Sequence, residues 1–167
     1  MKLALGTFIC AAGLAAVVQA EPVQPAHNTA GAPATPPASQ AASQAATAEM
    51  RGDAQAAVKL ADQGIAADPS DPWPYYNKAE ALAKLGQPDA ASANFSQAEQ
   101  RFPQNDRWGR SVAIFGRAHA LAQAGRCQAA RAAFNDYASL LYDDPNAARL
   151  ARRYSDDCDT ANRAAQP

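Results

Sequence analysis

One short pattern occurs three times along the chain, and this repetition limits the possible folds more than any other feature. Gly52 opens GDAQAAVKLA, Gly86 opens GQPDAASANF and Gly125 opens GRCQAARAAF. In each copy Ala-Ala stands four and five residues after the glycine. A further apolar residue (Ala61, Phe95, Phe134) stands nine after it. The first two copies lie 34 residues apart and the last two 39. A period of this length marks an array of one supersecondary unit, in which no unit buries its apolar face alone.

Between the glycines, apolar residues recur every three or four positions, the period of a helix. Val58, Leu60, Ala61 and Ile65 define a helix that stops at Asp68-Pro69. Tyr75, Ala79, Leu82 and Leu85 define one that follows Pro74 and is broken by Gly86. Pro88-Asp89 opens the next, with Ala91, Phe95 and Ala98 on its apolar face and Phe102-Pro103 at its end. Asp106 is placed to cap a third pair, Arg107–Ala124 and Arg126 to about Tyr142, with Gly125 between them. Asp144-Pro145 starts a last helix that runs toward Ala161, with proline at the first helical position. No alternating run of β-branched residues predicts a strand. Residues 38–48 have helix propensity through Ala and Gln but few large apolar groups. Two readings stand there: a weakly held first helix, or a continuation of what precedes it.

These helix pairs resemble tetratricopeptide repeats, in which about 34 residues form two antiparallel helices. The resemblance is clearest from Pro72 to Asn105. Tyr75 takes the aromatic position of the first helix, Ala79 its small position, Leu82 the large apolar site and Gly86 the turn. Ala91, Phe95 and Ala98 take the second-helix sites and Pro103 the terminal proline, while Lys78 departs from the usual Leu. Gly52, Ala57 and Pro69 lie one repeat earlier. Ala118, Leu121, Gly125, Ala130 and Phe134 form a third copy, whose extra residues lengthen its first helix or the loop at Gln104–Trp108. The resemblance spans roughly Glu49 to Pro145. It implies an all-α fold: a short α-α superhelix of about two and a half to three helix pairs. The alanines allow close approach of helices, and Leu82, Phe95, Leu121 and Phe134 fill the space between repeats. The helix from Pro145 is the terminal cap. Ala147, Ala151, Tyr154, Cys158 and Ala161 form its narrow stripe, and Arg149, Arg152, Arg153, Asp156, Asp157 and Asp159 its charged faces.

The ends differ in kind from this core. Residues 1–20 carry Lys2, an apolar run from Leu3 to Val18 and Val18-Gln19-Ala20 before a cut, which reads as a secretory signal peptide. As an uncleaved anchor the run is short, since a bilayer needs about 20 apolar residues. Phe8 and Ile9 before Cys10 argue against a lipoprotein. Residues 21–47 form a Pro- and Ala-rich tether, helical toward its end in one of the two readings. The helical domain is expected over 48–162 and a disordered tail over 163–167. The expected location is the periplasm or the exterior, with no stable membrane insertion once the leader is cut.

Export bears on the cysteines. Cys127 and Cys158 remain after cleavage, and an even count in an oxidising compartment predicts a disulfide. With the last turn near residue 144, they fall at nearly the same height of an antiparallel hairpin and on facing stripes. A redox-active pair would want adjacent cysteines or a polarised thiol, and a zinc site with His119 has no ligand spacing.

Nothing in the chain assembles a catalytic constellation or a phosphate-cradling loop. Only two histidines are present, His27 in the tether and His119. The acidic run near residue 157 spreads around its helix and reads as a solvated face. No metal or cofactor is expected. The 15 basic and 16 acidic residues leave no positive surplus for a nucleic-acid backbone. The family resemblance implies a concave groove lined by first helices. It contains Trp73, Tyr76, Asn77, Glu80 and Lys84 from one pair, and Phe115, His119 and Gln123 from the next. Trp73 and Phe115 either face the groove or pack against the adjoining repeat. Only Asn77 falls at a site of the family's carboxylate clamp. The expected function is a non-catalytic adaptor that holds a peptide or helix of another envelope protein. The alternative is a structural subunit that self-associates through its repeat ends, with a thiol–disulfide enzyme a distant third.

Overall fold

The computed structural model describes residues 37–164. The expected signal peptide, the expected tether up to residue 36 and the last three residues of the expected tail lie outside the described residues. Seven helices follow in order: α1 (Pro37–Met50), α2 (Ala54–Ala67), α3 (Pro72–Lys84), α4 (Pro88–Arg101), α5 (Arg107–Gln123), α6 (Cys127–Leu140) and α7 (Pro145–Ala164). Among the described residues every regular element is helical. Consecutive helices pack against one another, so α1–α2, α3–α4 and α5–α6 are antiparallel pairs and α7 covers the last. The all-α superhelix expected from the sequence is the fold observed.

The repeated glycine is the turn of each pair. Gly52, Gly86 and Gly125 have φ of 81°, 72° and 72°, in the left-handed region that only glycine enters cheaply. The residue after each donates its N–H to the carbonyl five residues back: Asp53 to Ala48, Gln87 to Leu82 and Arg126 to Leu121, each at 2.9 Å. This closure satisfies carbonyls that a helix end leaves without partners. Starts are equally local. Asp53, Asp71 and Asp106 accept from backbone N–H groups of the first turn at 2.9, 3.0 and 2.8 Å.

The core consists of small residues set against a few rings. Ala79, Ala91, Ala98, Ala118 and Ala130 are fully buried, and Phe95 and Phe134 are at most 2% exposed. The seam between α6 and α7 holds Cys127 and Cys158, joined by a disulfide with Cα atoms 5.6 Å apart. Ala147, Ala151 and Cys158 of the cap are buried, whereas Ala161, expected in the same stripe, is exposed.

Three boundaries differ from the sequence expectations. Residues 37–50 form a complete helix, so a domain start at 48 falls inside α1. Its Ala41, Ala42 and Ala45 are buried, small side chains being sufficient where helices nearly touch. Helix α3 begins at Pro72 rather than after Pro74, because Asp71 caps it and proline suits its first position. Helix α7 continues through Ala164, past the expected start of the tail at 163.

Candidate functional site

The first helices of the pairs, α1, α3 and α5, lie side by side along the inner face, where they form two depressions. The larger, about 670 Å³, lies between α3 and α5. Tyr76, Glu80, Ala83 and Lys84 line one wall, and Trp108, Ser111, Val112, Phe115, His119 and Gln123 the other. Phe95, Gly116 and Ala120 form the floor, and Tyr137 of α6 with Leu141 just past its end closes the far side. The shallower one, about 350 Å³, lies between α1 and α3 and is lined by Ser39, Ala42, Ser43, Ala46, Asp71, Trp73 and Asn77.

Of the eight groove residues named from the sequence, Tyr76, Glu80, Lys84, Phe115, His119 and Gln123 line the larger cavity together. Trp73 and Asn77 do not. Trp73 packs edge-on against Phe102 at 5.0 Å and Tyr76 at 5.8 Å, and meets Trp108 at 5.5 Å. The amide of Asn77 is buried and donates to the Ala42 carbonyl at 2.8 Å, so it ties α1 to α3. Phe115 serves both expected roles. It lines the cavity and also packs on Phe134 and on Tyr154 of the cap, at 5.8 and 5.6 Å.

Burial controls the electrostatics. It holds His119 below the ordinary histidine pKa, and the ring lies 4.4 Å from that of Tyr154. Burial raises the pKa of Glu80, and the nearby charge of Glu49 raises it further. It also raises the pKa of Tyr76, with Glu80 adding to the effect. Lys84 turns to Glu49, Nζ to Oε1 at 2.7 Å.

Two sets of wall residues were missed from the sequence, and each had a signal. Trp108, Val112, Phe115, His119 and Gln123 keep helical spacing, but the extra residues of this repeat left Trp108 open as part of the first helix or of the loop before it. It is the second residue of α5 and is 65% exposed. Ser39, Ala42, Ser43 and Ala46 stand one 34-residue repeat before Trp73, Tyr76, Asn77 and Glu80. Carrying the groove positions back by that period finds all four.

At the other end of the molecule, two acidic residues of α7 are held in ion pairs, Asp159 with Arg131 and Asp157 with Arg153. Among the described residues no group of three or more His, Cys, Asp or Glu side chains could hold a metal ion. No described helix is long and apolar enough to cross a membrane.

Residues 48–114 match the sequence pattern of the tetratricopeptide repeat. The fold is shared with the TPR2B domain of yeast Sti1, solved as a pHsp70 complex, at 22% identity and a TM-score of 0.66. That match covers 76% of this chain and 99% of the other. The second TPR domain of human RPAP3, solved with the HSP70 peptide SGPTIEEVD, is 20% identical with a TM-score of 0.61, covering 71% and 94%. The Yersinia enterocolitica type III secretion translocator chaperone SycD is 20% identical with a TM-score of 0.60, covering 73% and 81%. No curated protein sequence matches the chain. Residues 48–114 thus carry the tetratricopeptide-repeat pattern, and the described residues share the fold of these domains.

Proposed function

We propose that this domain is a non-catalytic interaction module that binds a peptide or helix of a partner protein in the groove between α3 and α5. The carrying observation is the 670 Å³ cavity, in which Tyr76, Trp108, Phe115 and Tyr137 offer flat apolar area around a few polar groups. Rigid aromatic side chains lose little entropy on binding, which suits them to anchoring a segment. The fold supports the same reading, since Sti1 and RPAP3 domains of this shape were solved with peptide or chaperone ligands. The leader-like residues 1–20 extend the proposal to a partner in the bacterial envelope, reached in the periplasm or outside the cell.

A photo-crosslinking residue at Gln123, on the groove wall, and another at Lys59, exposed on α2, test this in the producing cell. Adducts with a partner should form at position 123 and be absent at 59. Equal adducts from both faces would remove the groove from the function. An adduct of twice the chain's mass from position 123 would favour self-association instead.

A further inference from the structure

The ionisable groups on the cavity wall do not balance. Lys84 stands four residues after Glu80, the spacing of an intrahelical ion pair, yet its ammonium lies 2.7 Å from Glu49. The Glu49 side chain is 13% exposed and that of Lys84 52%, so the lysine neutralises a largely buried carboxylate. Glu80 makes no ion pair among the described residues. The one other nitrogen base on the wall is His119, which burial keeps toward its neutral form. The cavity thus has an aromatic half, around Trp108, Phe115 and Tyr137, and a half-buried carboxylate without a counter-ion.

We infer that the segment held in this groove presents a lysine or arginine side chain to Glu80 and places apolar groups against Trp108 and Phe115. This rests on the groove reading above and adds the chemistry of the partner. The Tyr76 hydroxyl already serves Glu80 as a hydrogen-bond partner, but a half-buried carboxylate without a counter-ion still gains a charge-assisted hydrogen bond when an ammonium or guanidinium reaches it. A carboxylate on the partner would meet the opposite field. It would approach Glu80 and Glu49, and the nearest cation, Lys84, is already paired. Like-charge juxtaposition of this kind rejects a ligand as effectively as attraction recruits one.

Three pools of fluorescent nonapeptides, blocked at both ends, test the inference. They are random except for a central residue, which is Lys, norleucine or Glu. Fluorescence anisotropy against the wild-type chain should rank the pools Lys, norleucine, Glu. About a fivefold step is expected between the first two, the size of one partly buried charge pair. In E80Q, which keeps the side chain's shape, the Lys and norleucine pools should bind equally. Equal binding of the Lys and norleucine pools to wild type, or tightest binding by the Glu pool, overturns the inference and leaves the groove reading standing. The wild-type ranking decides this whether or not E80Q folds. Absence of binding by every pool at about 1 mM removes the groove reading, and this inference with it.

Discussion

Asn77 and Gly116 occupy the same place in successive pairs, as the repeat glycines Gly86 and Gly125 show, and they act in opposite ways. Asn77 reaches across to α1 through its hydrogen bond to Ala42. Gly116 instead leaves a gap into which the Phe95 ring fits. A Cβ added there would lie 2.4 Å from Phe95 Cε1, well inside any real contact. Glycine to alanine in an exposed helix interior gains up to about 1 kcal/mol. At Gly116 the overlap should reverse the sign, so G116A is expected to lose about 1–3 kcal/mol in urea unfolding. A stabilised G116A would show that Phe95 can move aside, and the cavity floor with it. The register put Asn77 on the first helix of its pair but could not give its role. That role depends on a neighbouring helix whose alanine-rich sequence left it open as helix or tether.

The elements readable from the sequence were those marked by strong backbone chemistry: glycine at a left-handed turn, aspartate at a cap, proline at a first turn. Helix α1 was obscured because its buried face consists of alanines, which give almost no hydrophobic period. The groove wall on α5 was legible from Phe115 to Gln123. Trp108 was lost only because the five extra residues of this repeat had two possible locations. The cap posed the opposite case, since Asp144-Pro145 marked its start and Cys158, facing Cys127 of α6, marked its register. Their disulfide closes a loop with a sequence separation of 31, which constrains the unfolded chain by about 3–4 kcal/mol. The C127S/C158S double variant should lose about that much in urea unfolding, and the reduced wild type should match it. Unfolding identical to that of the oxidised protein would mean that α7 stays docked through Ala147, Ala151 and Tyr154 alone.

At the scale of the whole molecule the two ends of the array are held unequally. Helix α7 has a covalent link and a ring stack, Phe134 on Tyr154 at 5.6 Å. Helix α1 is held by buried alanines, the Asn77 hydrogen bond and the ion pair of Glu49 with Lys84. In a solenoid each unit is stabilised mainly by its neighbour, so opening should begin at α1. Amide hydrogen exchange is expected to be fastest in α1 and slowest in α4 and α5. N77A should speed α1 further, by the loss of one buried hydrogen bond worth about 0.5–1.5 kcal/mol, and leave α5 unchanged. Uniform acceleration across all helices would mean instead that the domain opens only as a whole.

The inner face also changes character along the array, from Ser39, Ala42, Ser43 and Ala46 on α1 to Trp108, Val112 and Phe115 on α5. A strand of chain laid across it would therefore have a head and a tail. With its bulky residues over α5 it fills the deep hollow and slides its thin part past the serines. Turned end for end, it leaves that hollow empty and rests its bulk on a shallow shelf.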